Sequence, residues 1–354
     1  MEKSKKPEIS IIMPVYNAGE YLDECLDSIV SQDMENWEAI CIDDGSTDDS
    51  PDILACRAEK DARIKVVRQE NHGAGYSRNK GIGIAEGEYL FFLDADDRIH
   101  DGSVLSDLYR AAKENDVRVC GGTFEAFYDD RTVSQWSGYQ KKYTFDEDRM
   151  WDYKDFQFDY GWVRFIYDRE FLLKNDLKIP EYSFFEDPVF FVKTMDKAGK
   201  FYAMKRIVYC YRDAYKERAF RKREVEDLLK GIREIVLIAE KSHYDELIAL
   251  ETYRLEKEYG ARIAEQLIRR ESEDAVRILD ELNGIIYPDG GDRLEYGMFE
   301  SLSVKQEKEI RKLAKKNESL QKNSKKMKDS LSWKIGRAAT YLPRNAKELF
   351  RRKG

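Results

Sequence analysis

Apolar strand-like segments alternate with amphipathic helix-like segments through the first 120 residues of the chain. The helix-like segments repeat apolar residues three and four positions apart, as the run from Leu22 to Ile29 does. This alternation predicts an α/β fold with a mostly parallel, doubly wound sheet, whose ligands bind beyond the carboxyl ends of its strands. The expected strands are Ile9–Met13, Trp37–Ile42, Ile64–Val67, Tyr89–Leu93 and Val117–Cys120, and the expected helices are Leu22–Ile29, one with Ser50 as its N-cap and Pro51 in its first position, Asn79–Ala85 and Val104–Ala112.

The pattern becomes irregular and rich in aromatic residues after Gly122 and stays so to about Tyr182. Such a stretch is typical of loops and short strands that build a binding wall. The later elements that we expect are a helix over Glu186–Ala198, a strand over Phe201–Tyr209 and a charged helical region from Arg221 to about Leu282. These changes predict an α/β domain over residues 1–220, a helical extension over 221–302 and a basic tail over 303–354.

Three carboxylates follow the apolar run Tyr89–Leu93, in the sequence Asp94-Ala95-Asp96-Asp97. If the chain is extended there, residues two apart project to the same side, so Asp94 and Asp96 point into one cleft and Ala95 points away. Hard oxygen ligands at the end of a strand suit Mg²⁺ or Mn²⁺, which leave positions for water and phosphate. The alternative is an ordinary acidic turn.

The ends of the first two expected strands carry residues suited to a nucleotide. Pro14, Val15 and Tyr16 end the first strand, and the flat ring of Tyr16 is able to stack on a base. Asp43 and Asp44 end the second strand, where a carboxylate is able to accept the imide N–H of uracil. Ordinary turn chemistry is the alternative for both segments.

Two further segments complete the candidate site. The Gly-rich turn over residues 71–79 leads into a helix and would direct Arg78 and backbone N–H groups at the nucleotide. Much later in the chain, Glu186 and Asp187 stand between apolar pairs, where partial desolvation would raise the pKa of Asp187 toward that of a general base. The alternative is that both acids only begin a helix, with Pro188 in its first position.

Taken in order along the chain, these segments resemble the pattern of glycosyltransferase family 2, the bacterial inverting glycosyltransferases. The resemblance covers roughly Glu8 to Arg212. It implies a GT-A fold, a divalent metal ion and a nucleotide-sugar donor. The roles that it implies are base stacking for Tyr16, uracil recognition for Asp44 and Arg78 with Asp43 beside them, ribose and metal contact for Asp94, direct metal ligation for Asp96 and general base for Asp187.

The resemblance also extends to two less specific segments. Trp162 lies in a Gly161–Arg164 segment similar to the family's acceptor-side tryptophan segment, in which the more usual basic residue is either displaced or replaced by Arg164. Glu186 belongs to the same acceptor side. The segment Tyr209–Arg212 is similar to the one that closes over the diphosphate.

Charge is spread unevenly along the chain. The 354 residues carry a formal net charge of −8, yet Lys305–Gly354 holds 17 Lys and Arg against 5 Asp and Glu. The acidic body argues against a nucleic-acid partner. The basic end also contains apolar residues such as Trp333 and Phe350, which suits a segment lying on an anionic membrane surface. A solvated basic tail is the alternative.

A sparse heptad precedes that end and predicts either a short coiled coil or a frayed basic helix. Its seam residues are Ile310, Leu313, Asn317, Leu320, Ser324, Met327 and Leu331. The helices from Arg221 onward offer another surface for a homodimer. The five cysteines are scattered, without metal-ligand spacing, so we expect reduced core residues of a cytosolic protein, and we expect neither a signal peptide nor a membrane span.

The function that follows is metal-dependent, inverting transfer of a hexosyl or N-acetylhexosaminyl group from a nucleotide-sugar, expected to be a UDP-sugar. The acceptor is expected to be a glycan or lipid-linked molecule of bacterial cell-surface polysaccharide synthesis, at the inner face of the membrane. A sugar-phosphate nucleotidyltransferase is an alternative, although Pro14 and Tyr16 stand where it needs a Gly-rich phosphate loop. A second alternative is a non-catalytic scaffold that binds nucleotide-sugars.

Overall fold

The computed structural model describes residues 6–128, 132–133, 135–212, 220–269, 272–288 and 293–329, and no side chain of residues 269, 314, 317–318, 320–321 or 323–329. The strands are β1 Ile9–Val15, β2 Trp37–Asp43, β3 Ile64–Arg68, β4 Tyr89–Phe92, β5 Arg98–Ile99, β6 Val119–Phe127, β7 Thr132–Val133, β8 Arg149–Asp152, β9 Phe165–Asp168 and β10 Lys200–Arg212. The helices are α1 Leu22–Val30, α2 Ser50–Lys60, α3 Ala74–Ile84, α4 Val104–Glu114, α5 Tyr153–Phe156, α6 Arg169–Lys174, α7 Glu186–Ala198, α8 Lys222–Ser242, α9 Asp245–Tyr253, α10 Gly260–Arg269, α11 Glu273–Ile286 and α12 Leu294–Asp329. Short 3₁₀ turns cover Gly138–Tyr143 and Trp162–Arg164, and a π-helical turn covers Arg254–Glu258.

The strands of the described residues form one sheet in the order β3-β2-β1-β4-β9-β6-β10-β5, with β7 on β6 and β8 on β10. The first four are parallel. The rest is mixed, because β9 lies antiparallel between β4 and β6, whereas β6 and β10 are parallel. The α/β prediction is confirmed, and its doubly wound parallel part is the β3-β2-β1-β4 half.

The apolar strands of the parallel half lie where the sequence predicts, and helices α2 and α3 pack against them. Every residue of β2 is buried, as expected for a strand in the middle of a covered sheet. The predicted apolar face of α1 is buried throughout, from Leu22 to Ile29. Because β1, β2 and β4 run parallel, their carboxyl ends, near Val15, Asp43 and Leu93, share one edge of the sheet.

The predicted end of the fifth strand was wrong, since β6 continues through Gly121 and Gly122 to Phe127. The glycines suggested a break, but a Cβ at Gly121 would collide with the ring of Phe165 on the neighbouring strand β9. Gly121 is therefore needed for close packing inside the sheet, which is one meaning of glycine in a strand. The irregular region that we expected after Gly122 begins only beyond β6.

Two helix starts also differ from the prediction. Helix α3 begins at Ala74 rather than Asn79, because Gly73 adopts a φ of 92° that ends the preceding loop. Helix α2 begins at Ser50, one residue before the predicted first position, Pro51. The Ser50 hydroxyl accepts a hydrogen bond from the N–H of Ala18 (3.0 Å) instead of capping the helix. Ser50 therefore ties α2 to the loop after β1.

The helical extension packs on the sheet domain through α7 and α8. Asp227 on α8 accepts hydrogen bonds from the N–H and the hydroxyl of Ser183, just before α7. The predicted late helix exists as α12, in which Ile310 and Leu313 are both exposed. The other heptad positions, and residues 330–354, lie outside the described side chains. The domain boundaries near residues 220 and 302 stay predictions.

Candidate active site

A cavity of about 480 Å³ opens at the carboxyl edge of the parallel strands. Fourteen residues line it: Pro14, Val15, Tyr16, Asn17, Ala18, Tyr21, Asp44, Asn71, Gly73, Ala74, Arg78, Asp94, Ala95 and Asp96. Eight of the nine residues predicted to bind the donor are in this set. The ninth, Asp43, is buried behind it.

Tyr16 stands at the mouth of the cavity, with 55% of its surface exposed. The neighbouring Asn17 fixes the loop, because its N–H donates to the Ser46 hydroxyl (3.1 Å) and its side-chain oxygen accepts from the N–H of Thr47 (2.8 Å). Asn17 has a φ of 51°, a left-handed conformation that asparagine tolerates. The ring of Tyr16 is thus held on a fixed loop with a free face.

Asp44 holds the Gly-rich loop against the end of β2. Its two carboxylate oxygens accept from the N–H groups of His72 (2.9 Å) and Gly73 (2.7 Å), and from Gln69 Nε2 (2.7 Å). Those two N–H groups therefore bind Asp44 and not a nucleotide, contrary to the expectation for this loop. Asp43 is buried, and its Oδ1 accepts from the N–H of Ser46 (2.9 Å).

Residues 94–97 form a turn, in which the N–H of Asp97 donates to the carbonyl of Asp94 (3.0 Å). The prediction that this segment is extended is therefore wrong. Ala95, which was expected to point away from the cleft, also lines the cavity. Asp94 and Asp96 nevertheless reach the same cavity, as predicted. Burial and the neighbouring carboxylate of Asp94 both raise the pKa of Asp96 above its ordinary value.

Asp97 holds this turn against strand β10, a role that the sequence analysis missed. It is buried and accepts from the Tyr209 hydroxyl (2.6 Å) and the N–H of Arg212 (2.7 Å). The Tyr209 hydroxyl in turn accepts from the N–H of Asp94 (3.2 Å). No local signal links these residues, since Tyr209 lies 112 positions after Asp97. The segment Tyr209–Arg212 thus supports the Asp94–Asp97 turn.

The carboxylates of Asp94 and Asp96 fit a hard divalent cation. They are oxygen ligands on one cavity wall, and the raised pKa of Asp96 reflects lost hydration and repulsion by Asp94, both of which a cation would offset. Arg78 already neutralises part of the charge on Asp94, at 2.6 Å. Asp96 is therefore the freer ligand of the two.

Arg78 connects the donor cavity to the second predicted part of the site. Its buried guanidinium pairs through Nη2 with Asp94 and through Nη1 with Glu186 (3.6 Å), and its Cζ lies 5.0 Å from the centre of the Trp162 ring. Burial lowers the pKa of Arg78, but Asp94 and Glu186 outweigh it and hold the pKa above its usual range. Residues 78, 94 and 186 therefore come together from three separate segments.

Asp187 lies beside this ion pair, in the first turn of α7. Its pKa is raised to about 7, first because burial removes hydration and second because the Glu186 carboxylate lies nearby, while Arg78 opposes both effects. The residue before the helix, Phe185, is buried with a φ of 71°, a strained conformation for an aromatic residue. Pro188 is the third residue of α7, whereas the sequence had suggested the first position.

The two residues of the tryptophan segment have different surroundings. Trp162 is buried against the guanidinium of Arg78 and packs on Phe92 and Phe190, so it supports the side chain that pairs with both Asp94 and Glu186. Arg164 is fully buried and donates to the carbonyls of Tyr143 (2.5 Å) and Lys142 (2.7 Å). Burial lowers the pKa of Arg164 to about 9. Arg164 therefore holds a loop in place and does not face an acceptor, contrary to the sequence expectation.

Comparison with known proteins agrees with this geometry. The sequence model described as "Glycosyl transferase family 2" matches residues 10–173, which include the whole donor cavity. This match confirms the predicted resemblance to glycosyltransferase family 2 over residues 10–173. It is 30% identical over 221 residues to glycosyltransferase EpsJ of Bacillus subtilis, which covers 58% of this chain and 61% of EpsJ. It is 45% identical over 112 residues to the poly(ribitol-phosphate) beta-glucosyltransferase of Bacillus spizizenii, 30% of this chain and 18% of that protein.

The fold is shared with S. aureus TarS 1-349, a structure solved in complex with UDP-GlcNAc. The TM-score is 0.66 at 23% identity, over 79% of this chain and 81% of that chain. This likeness confirms the predicted GT-A fold. The chain spans less than two thirds of the length of both curated relatives. No helix among the described residues is both long enough and apolar enough to cross a membrane.

Proposed function

We propose that the protein is a metal-dependent, inverting glycosyltransferase that moves a sugar from a UDP-sugar to a hydroxyl group of a glycan or lipid-linked acceptor. The observation that carries this proposal is the position of Arg78, which joins Asp94 of the donor cavity to Glu186, next to Asp187. A donor site and a candidate base with a pKa of about 7 thus meet at one ion pair.

The donor would occupy the cavity at the carboxyl edge of the parallel strands. Tyr16 offers an exposed ring for the base, and stacking of this kind contributes roughly 1–3 kcal/mol per base. Asp44, Asp43 and Arg78 are the residues proposed to recognise uracil, Asp44 by exchanging one of its loop contacts for the base. The UDP-GlcNAc in the TarS structure supports a uridine donor and a hexosyl or N-acetylhexosaminyl group.

The reaction would be a single in-line displacement. Ionised Asp187 takes the proton from the acceptor hydroxyl, whose oxygen attacks the anomeric carbon opposite the departing nucleoside diphosphate and inverts that centre. Asp94 and Asp96 would hold Mn²⁺ or Mg²⁺, and a cation there would offset the charge that grows on the diphosphate. Arg78 keeps Asp94 and Glu186 at fixed positions, while Glu186 and Trp162 form the acceptor side.

The acceptor is proposed to belong to cell-surface polysaccharide synthesis. The relative from Bacillus spizizenii acts on poly(ribitol phosphate), as its name states, which supports a surface polymer as acceptor. The basic end of the chain would place the enzyme in the cytoplasm, peripherally at the inner membrane face, where lipid-linked acceptors occur. A homodimer through the helices after residue 220 remains part of this proposal.

A donor-hydrolysis assay tests the proposal without knowledge of the acceptor, because water replaces the acceptor hydroxyl. Release of UDP is followed with UDP-glucose, UDP-galactose and UDP-GlcNAc, each with Mn²⁺ and with a chelator. We expect Mn²⁺-dependent release from one donor, which Asp187→Asn lowers by about 10²- to 10⁴-fold. Nucleotide binding without release from any donor, and without transfer to membrane extracts, would favour the non-catalytic scaffold.

A further inference from the structure

Three potential metal ligands meet on the far strands of the sheet, outside the donor cavity. They are His100, Glu125 and Cys210, whose ligand atoms all lie within 4.8 Å of one another. His100 Nδ1 is 3.4 Å from Cys210 Sγ, and Cys210 Sγ is 3.6 Å from Glu125 Oε1. His100 Nδ1 and Glu125 Oε1 are 4.0 Å apart.

The sheet itself brings these side chains together. Cys210 on β10 is the register partner of Glu125 on the parallel strand β6 and of Arg98 on the antiparallel strand β5. His100 follows Arg98 by two residues, so it projects to the same side of the sheet. The N–H of His100 still donates to the carbonyl of Val208 on β10. The grouping is therefore set by strand pairing and not by a mobile loop.

The distances suit a tetrahedral zinc ion. With Zn–N and Zn–O of about 2.0–2.2 Å and Zn–S of about 2.3 Å, neighbouring ligand atoms lie about 3.4–3.6 Å apart. Two of the three separations match this range, and the third needs a shift of about half an ångström. A thiolate, an imidazole and a carboxylate form a borderline-soft set, unlike the all-oxygen set of Asp94 and Asp96.

We propose that His100, Glu125 and Cys210 bind Zn²⁺, with a fourth position open to water. Cys210 and Glu125 supply two negative charges, and the side chain of His100 is 35% exposed, so an ion is able to enter from solvent. The ion would clamp β5, β6 and β10 together. Tyr209 and Arg212, which support the Asp94–Asp97 turn, flank Cys210 on the same strand.

Two features of the surroundings work against binding. Arg98 lies near Cys210, although its guanidinium pairs with Glu24 (3.2 Å) and lies over the Phe127 ring at 4.5 Å. Burial and the Glu125 carboxylate raise the pKa of the Cys210 thiol to about 12, so the ion must displace a proton. A hydrogen-bonded triad without metal is therefore the competing state, and the test separates the two.

The test is a metal titration of the full chain, stripped with a chelator and reloaded with Zn²⁺ or Co²⁺. We expect about one equivalent of zinc per chain by elemental analysis, as for a single site, and a thiolate-to-cobalt absorption band with Co²⁺. Cys210→Ser should lose the band and the zinc, whereas Cys56→Ser, which changes an exposed free cysteine, should keep both. Asp96→Asn should also keep both, which separates this site from the proposed donor metal.

His100→Ala guards against a Cys210 variant that fails to fold, because His100 is exposed at the edge of the group. It should retain the fold by circular dichroism and lose most of the zinc, and Glu125→Gln should weaken binding without a change of shape. Absence of zinc from the reloaded wild type, or equal zinc in wild type, His100→Ala and Cys210→Ser, would overturn the proposal.

Discussion

The two halves of the sheet contribute to the site in different ways. In the parallel half, β1, β2 and β4 end at one edge, and each places its site residues within a few positions of the strand end. In the mixed half, Tyr209 and Arg212 act on a turn more than 110 positions earlier in the chain. Donor residues are therefore marked by local patterns, whereas their supports depend on tertiary pairing.

The carboxylates of the cavity and the carboxylate of Asp187 also differ in their electrostatic surroundings. Asp44 accepts two backbone N–H groups, and Asp94 pairs with Arg78 at 2.6 Å, so charge on both is compensated within the protein. Asp187 has lost hydration and has Glu186 beside it, which raises its pKa to about 7. The first arrangement suits ligand binding and the second suits proton transfer.

Asp187→Asn should have the largest effect, because it removes the proposed base and keeps the shape of the side chain. We expect donor turnover to fall by about 10²- to 10⁴-fold, the usual contribution of a general base. Binding of UDP by calorimetry should be unchanged, since Asp187 does not line the donor cavity. Turnover equal to that of the wild type would show that the base lies elsewhere.

Asp96→Asn should affect only the metal-dependent binding of the nucleotide. We expect the stabilisation of the fold by UDP with Mn²⁺, about 2.7 kcal/mol at 100-fold the dissociation constant, to disappear in a thermal-shift titration. Asp52→Asn, an exposed aspartate on α2, is the matched control and should respond as the wild type does. A Mn²⁺ response retained in Asp96→Asn would remove Asp96 from the metal site.

Tyr16→Ala should weaken nucleotide binding by the stacking free energy, about 1–3 kcal/mol. Tyr16→Phe keeps the ring and should bind nearly as the wild type does. Calorimetry with UDP and with uridine separates the base from the diphosphate. Equal losses in the two variants would mean that the hydroxyl of Tyr16, rather than its ring, contacts the nucleotide.

Gly121→Ala tests the packing of the mixed half and should leave the donor cavity intact. The added methyl group meets the Phe165 ring, so we expect a loss of about 1–3 kcal/mol in the free energy of unfolding. Gly83→Ala, in α3 with open space around it, should be neutral or stabilise by up to about 1 kcal/mol. Denaturant unfolding measures both, and an unchanged Gly121→Ala would contradict the close packing.

The sequence predicted the parallel half well because each signal there is local. Tyr16, Asp44 and Asp94 follow apolar runs, and the structure places all three in one cavity. The pairing of Arg78 with Asp94 and Glu186 was not predictable, since the three residues are distant in sequence and meet only through the fold. Gly121 misled the strand prediction because its packing against Phe165 has no local signature.

The most direct test of the account is the pH dependence of donor turnover at saturating Mn²⁺ and donor. A carboxylate is able to take a proton only when ionised, which for Asp187 means above its pKa of about 7. The rate should therefore rise with pH through neutrality and level off above it, and the residual rate of Asp187→Asn should not follow this curve. A wild-type rate that stays flat across neutral pH, or an identical curve in Asp187→Asn, would contradict the assignment of Asp187 as the base.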